Sequence, residues 1–400
     1  MKIYTRENLR GQTTAKLPDE VVFDILAWLP VKTLARFKSV SKAWRATISD
    51  PFFIRTHLQK SAEKEKQTPS FLVIPHALDM VIDDEPWPTT VSNTVPFYRW
   101  QEGQDDACLV HLASFHGEFG SIYLMSPCDG IVMLPTDTKV YVFNPAIGDV
   151  LTLPDGQKDE APLQSLGLGL DPRSNKYKVV RSFCRSLDFC ERTYSLGMEV
   201  FTICSDDSAL CWRSIAEDPP FPTDCRVPMH FKGSMYWFIM EELVECRPQG
   251  FLRLKLDDET FSFISYPLFS PEMQRLDLID LGGELCLAQC LLTEIVIWTL
   301  SSDDGHEWAK IHVISFTEAS KSMPFFGTPE YGILIRSGNY FYRHDEPNRP
   351  PREVVCLDQL RYKNPNIGSD SNGKDYFFFN LVPYTESLVP VTTARSSMPK

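Results

Sequence analysis

The sequence predicts an α+β multidomain chain: a small amino-terminal helical module followed by an all-β domain, most simply a β-propeller of about six blades. Three observations lead there. Apolar residues recur at helical spacing only near the amino terminus. From about Phe71 onward, short apolar runs alternate with turn signals. Within those runs a glycine-marked hairpin returns at intervals near 50 residues.

The elements can be justified in order. Residues 1–15 show no periodic pattern and are expected to be a flexible amino terminus. The helical module is expected over 16–60. Val21, Ile25 and Leu29 recur at i, i+4 and i+8, with Val22 and Leu26 beside them, and together they mark one stripe of a helix. Pro18 suits the first turn, where its missing N–H is not needed. Asp19 and Glu20 follow at the positive end of the helix dipole. Leu29 precedes Pro30 and is pushed away from helical angles, so this helix should stop near Trp28. Pro30 opens a second helix along which Val31, Leu34, Phe37 and Val40 step by three, with Lys32, Arg36 and Lys38 on other faces. Ser41 can cap a third helix carrying Trp44 and Ile48. Asp50-Pro51 closes it and can cap a fourth, from Phe52 to about Lys60. The polar run SAEKEKQTPS at 61–70 reads as a linker. Helices this short bury too little surface to be very stable alone. Leu17, Pro18, Leu29, Pro30 and Val31 lie near helix ends, where they can stay exposed. The module is therefore either a cap packed on the next domain or a docking surface for a helical partner.

Residues 71–385 carry runs such as GIVMLP, KVYVFNP, YKVVRSF, GMEVFTI, GFLRLKL, EIVIWTL and EVVCLD, which read as strands. Alternation is visible in Leu252, Leu254 and Leu256 against Arg253 and Lys255. The repeating hairpin is centred on Gly130, Gly233, Gly283 and Gly338, with intervals of 103, 50 and 55 residues. A period near 50 with about four strands is that of a propeller blade, with a β-sandwich as the alternative. Residues 386–400 read as a disordered polar tail.

Composition narrows the function. Hydrophobic residues make up 43% and charged residues 23%, as in a soluble globular protein, and no run approaches a membrane span. The expected setting is the cytosol or nucleus. The net charge of −13 argues against a nucleic-acid partner. It is unevenly spread: residues 16–66 hold ten Lys/Arg against six Asp/Glu, residues 1–15 add a net +2, and residues 67–400 are left with −19. A basic head on an acidic body implies two pieces with different partners. The 11 cysteines are scattered without a CxxC pair, and Cys286 and Cys290 sit four apart without a His or second Cys pair, so zinc is not expected. Gly167-Leu168-Gly169 lacks a third glycine and runs into Asp171-Pro172 where a helix should start, so it is no dinucleotide fingerprint. His111 and His116, and His306 and His312, make no ligand set. The acidic runs Asp83-Asp84-Glu85, Asp257-Asp258-Glu259 and Asp303-Asp304 fall in turns. No nucleophile, metal or phosphate-binding constellation emerges, and no cofactor is expected.

The run LPDEVVFDILAWLPVKTLARFKSVSKAWRATISDPFF, from Leu17 to Phe53, resembles an F-box of the plant type. The shared elements are Leu17-Pro18, Ile25-Leu26, Leu29-Pro30-Val31-Lys32, Leu34, Arg36-Phe37, Val40, Ser41-Lys42, Trp44-Arg45 and Ser49-Asp50-Pro51. Residues 71–385 resemble the F-box-associated domain of plants, through CDGIVML, VYVFNPAIGDVLTLP, LGLGLDPRSNKYKVV, MEVFTI with Trp212-Arg213, and FKGSMYWF. The resemblance implies a non-catalytic substrate receptor of a ubiquitin ligase, docking on a Skp-type adaptor and through it on cullin and RING subunits. It also implies that Leu17, Pro18, Ile25, Leu29, Pro30, Val31, Leu34, Val40 and Trp44 form or support the adaptor face, with Trp44 the residue most expected in the core. The substrate is a protein the sequence does not identify. The alternatives are a scaffold acting outside a ligase, and a propeller enzyme or carbohydrate-binding module with an unrelated helical cap.

Overall fold

Cap chemistry sets the starts of four helices. Pro18 and Pro30 precede α1 (Asp19–Ala27) and α2 (Val31–Phe37), and their carbonyls accept the first helical N–H groups. Ser41 Oγ accepts from Trp44 N at the head of α3 (Lys42–Ser49), 3.1 Å away. Asp50 Oδ1 accepts from Phe52 N at 2.8 Å and Phe53 N at 3.3 Å, with Pro51 at the first position of α4 (Pro51–Glu65). The computed structural model describes residues 17–80, 90–115, 125–160, 164–188, 193–203, 211–240, 244, 248–267, 275–301, 307–317, 319–347, 349–364, 370–376 and 378–392. The flexible amino terminus expected at 1–15, His116, His306 and the acidic runs at 83–85 and 303–304 lie outside those residues.

α4 runs through the first half of the expected linker. Ala62, Glu63, Lys64 and Glu65 are good helix formers, and Glu65 is held at the end, accepting from the backbone and hydroxyl of Ser70 and facing Arg99 at 3.5 Å. The helix therefore passes into the first strand, Ser70–His76, within a few residues.

Three sheets of four antiparallel strands follow along the chain, over 126–152, 165–214 and 229–265. An eight-stranded sheet is two further four-stranded meanders, over 275–315 and 322–356, joined by one parallel pairing, Leu281 with Gly327. The remaining large sheet takes strands from both ends of the chain. Phe378–Pro383 pairs antiparallel with Ser70–His76, from Phe71 with Pro383 to His76 with Phe378, and so joins the end of the β domain to its beginning. The first strands of the sheets from 126 to 356 lie side by side in chain order, and Phe378–Pro383 lies against the first of them, Ser126–Cys128.

The repeat is real, but one marker is displaced. Gly130, Gly233 and Gly283 occupy the turn between first and second strands, each with positive φ. In the fourth unit that place belongs to Gly332, φ 86°, and not to Gly338, which turns the second strand into the third. In the sheet over 165–214 the same turn is made by Asn175, φ 54°. Asparagine tolerates the left-handed region, which is why the glycine spacing appears doubled between Gly130 and Gly233.

Neighbouring sheets are fastened by tryptophans and by one buried ion cluster. Trp237 Nε1 donates to Ser165 Oγ at 3.1 Å, Trp308 Nε1 to the Ser265 carbonyl at 2.7 Å, and Trp212 Nε1 to the Pro154 carbonyl at 2.8 Å. Lys178 lies between Asp171 at 3.0 Å and Glu259 at 3.4 Å, linking two sheets.

The disordered tail expected from 386 is contradicted over 386–392. Ser387, Leu388, Val389 and Val391 are buried. Asn144 Nδ2 donates to the Ser387 and Val389 carbonyls at 3.0 and 2.9 Å. Asp149 accepts from the backbone N–H groups of Val391 and Thr392 at 2.8 and 3.0 Å. Leu388 packs among Leu26, Ala27, Val31, Leu34, Ile48 and Phe53, so a residue of this strap completes the helical core. Leu388→Ala should weaken the seating of the helices by about 3 kcal/mol. The check is hydrogen exchange: faster amides in α1 and α4, with protection unchanged in the strand Gly250–Lys255.

Candidate functional site

The apolar stripe of α1 divides in two. Val22, Phe23, Leu26 and Ala27 turn into the helical core. Leu17, Val21, Ile25 and Trp28, spaced i, i+4, i+8 and i+11, turn outward. Val40, between α2 and α3, and Phe52, at the head of α4, are also exposed. Among the described residues thirteen large hydrophobic side chains are exposed, and these six lie in the helical module. That is nearly half of them on a small fraction of the chain, far denser than the scattered exposed apolars normal on a surface.

The residues expected at a docking face separate by burial. Leu17, Pro18, Ile25, Pro30 and Val40 are exposed, Ile25 by 51% and Val40 by 62%. Leu29 is half-buried. Val31 and Leu34 are wholly enclosed at 0% exposure, so they offer no surface and hold the module together from inside. Trp44 is half-buried against Phe37, ring centroids 5.0 Å apart. Val21, Trp28 and Phe52 are exposed apolars that sequence reasoning did not single out as face residues. Val21 carried a signal, being one helical turn before Ile25. Trp28 is 63% exposed and lies beneath the Lys60 ammonium, 5.0 Å from the ring centroid, while Lys60 also pairs with Asp24 at 3.3 Å.

Behind the face the module meets the body. His57 on α4 is 2% exposed and its Nε2 donates to the Leu29 carbonyl at 2.9 Å. Among the described residues Nδ1 has no partner. Burial pulls the imidazole below its ordinary value near 6.5, against a smaller upward pull from the Leu29 carbonyl and the Glu386 carboxylate. Glu386 also accepts from Val31 N at 3.3 Å and faces Arg99 at 3.5 Å. Burial pushes the Glu65 carboxyl up, opposed by Ser70 and Arg99. Ile54 and Leu58 of α4 pack against the cluster containing Val389 and Val391.

Cys286 and Cys290 are buried on one strand, and burial pushes both thiols up to about 12, which keeps them protonated and unreactive. Among the described residues no three His, Cys, Asp or Glu side chains gather as a metal site.

Two family models match the chain: an F-box domain over residues 15–56 and an F-box associated beta propeller domain over 91–343. An F-box/LRR-repeat/kelch-repeat protein of Arabidopsis thaliana is 28% identical over 327 residues, 76% of this chain and 78% of that protein. An F-box protein of the same plant is 24% identical over 375 residues, 82% of this chain and 98% of that protein. Among solved structures, YCF48 from Cyanidioschyzon merolae superposes with a TM-score of 0.40 at 8% identity, over 74% of this chain and 89% of that one. The family match carries the fold assignment.

His57 gives a pH dependence. Its folded-state pKa is depressed, so its contribution is complete above about 6.5 and is lost as pH falls below that toward the folded value. α1 and α2 should therefore exchange faster at mildly acidic pH, after correction for intrinsic rates. Other buried histidines respond too, His76 down to about 4, so the check is the difference between the native chain and His57→Gln, which keeps a donor for Leu29 and removes the proton site.

Proposed function

The chain belongs to the plant F-box proteins with an F-box-associated β-propeller domain, and on that premise we propose that it is the substrate-recognition subunit of a Skp-cullin-F-box ubiquitin ligase. The helical module docks on a Skp-type adaptor, which brings cullin and RING subunits. The propeller captures a protein target, and the partners carry out ubiquitin transfer. We place this work in the cytosol or nucleus. The observation that carries the reading is the exposed face of Leu17, Val21, Ile25, Trp28, Val40 and Phe52 on a module whose own core is already filled. A helical cap would turn its apolar surface toward the domain beneath it. Here the inward surface is satisfied by Leu388, Ala146 and Ile147, and a second apolar surface is left over. Arg36, Lys42 and Arg45 are exposed on α2 and α3, the helices on either side of Val40, and favour a partner with acidic groups beside an apolar centre.

The test uses the full chain, because Leu388 belongs to the module's core. Purified Skp-type adaptor should bind it, and Ile25→Ala or Val40→Ala should each weaken binding by about 2 kcal/mol, roughly 30-fold. Leu292→Ala, at an exposed position of the propeller, should change nothing. No binding of the unmodified chain at micromolar adaptor would sink the reading. Adaptor-dependent ubiquitylation of a captured target then separates a ligase receptor from an adaptor-bound scaffold.

A further inference from the structure

The first strands of the sheets surround a cleft of about 710 Å³ that opens beside the last turn of α4. Strands from several sheets reach it, as Ser126, Met229, Ile279, Phe325 and Pro383 show, and Ala62, Glu65 and Lys66 of the helical module form part of one wall. The Thr328 hydroxyl donates to the Lys66 carbonyl at 3.0 Å and ties that wall to the rim. Its volume falls in the range of ligand-binding clefts, and it is open to solvent on one side.

Resting on the receptor reading above, we propose that this cleft is the target seat and that it takes an extended peptide segment carrying a Lys or Arg side chain between apolar neighbours. The apolar part follows from Met229, Phe238, Leu278 and Phe325 in the lining. The basic part follows from how the charges already present are used. Arg226 is engaged three times over: by Asp224 at 2.7 Å, by the Leu276 carbonyl at 3.0 Å, and by the Phe238 ring, whose centroid is 3.8 Å away. Arg275 is engaged by Asp277 at 2.9 Å. Asp280 is different. One of its oxygens accepts from Gly283 N at 2.8 Å, and among the described residues it makes no ion pair, Lys232 acting on it only from farther off. Desolvation at the cleft wall pushes the half-buried Asp277 carboxyl up and acts in the same direction on Asp280, whose side chain stays exposed and open to an incoming cation. The −19 carried by residues 67–400 draws a basic segment toward the cleft from a distance. A bound acidic segment would instead face Asp280, Asp277 and Glu330, with both arginines already committed and Lys66, on the helical wall, the remaining lysine of the lining.

The experiment selects a random peptide display library on the immobilised full chain, with adaptor binding measured on the same preparation. The expected enrichment is for peptides with Lys or Arg beside Leu, Phe or Met. Asp280→Asn keeps the acceptor for Gly283 N and removes the charge, and should weaken the enriched peptides about ten-fold. Asp280→Lys should shift the enrichment toward acidic peptides, a gain that misfolding cannot imitate. Acidic or uncharged peptides enriched on the native chain, no enrichment at all, or basic peptides that bind Asp280→Asn equally well would each overturn the proposal. Any of these with intact adaptor binding leaves the receptor reading standing. Peptide binding without adaptor binding does the reverse.

Discussion

Leu388 comes from the last stretch of the described chain, yet its side chain completes the core of the first helices. The geometry that puts it there is ring closure. Pairing Phe378–Pro383 with Ser70–His76 delivers the carboxy-terminal end of the β domain to the place where α4 hands over to the first strand. The next residues have nowhere to go but between head and body, and Asn144, Asp149 and Arg99 fasten them there through Ser387, Val389, Val391, Thr392 and Glu386. One strap thus serves two cores. It explains how a helical module too small to be stable alone keeps a fixed posture. It also gives the proposed receptor a mechanical property that a flexible linker would not. A target on the propeller is held at a set distance and angle from whatever the helices grip, and effective concentration depends on that geometry.

The same filling of the inner surface gives meaning to the outer one. A short amphipathic helix normally has one apolar stripe, used once. α1 has two, because Val21 and Ile25 lie beside Val22 and Leu26 without sharing their neighbours. Burial of Val31 and Leu34 and exposure of Ile25 and Val40 follow from the positions of α2 and α3 over Leu388, not from any difference in hydrophobicity. A core valine and a surface valine are chemically identical. What distinguishes them is which other segment arrives, and that segment is more than 300 residues away in sequence.

This is also where legibility in the sequence ends. Starts of the helices were readable, because Pro18, Pro30, Ser41 and Asp50 act through local backbone chemistry. The strand runs and their period were readable for the same reason, and the shift from Gly338 to Gly332 shows the limit: two turn glycines six residues apart look alike until pairing says which turn each one makes. Asn175 hid a repeat by doing a glycine's work with another residue type. The extension of α4 to Glu65 was missed because a polar run can be a linker or a solvated helix, and Ser70 and Arg99 decide between them. The strap was missed because a polar composition was read without its few apolar residues being given a destination. Which of the implied face residues stand outside was beyond local reasoning altogether.

Gly167 sharpens the point. As sequence, Gly167 and Gly169 look like half of a phosphate-binding loop. In the fold they lie in the strand Ser165–Asp171, where a Cβ on Gly167 would come within 2.1 Å of Met235 Cε and 2.4 Å of Pro228 Cγ, on the adjoining sheet. Pro228 and Met229 line the central cleft. The glycine therefore lets two sheets approach closely enough for the next sheet's first strand to reach the axis. A side chain there would push that strand away and change the width of the cleft. A feature that resembles a ligand motif thus acts one step earlier, on the spacing of the walls, and the chemistry of the seat is left to side chains such as Asp280 that no motif marks.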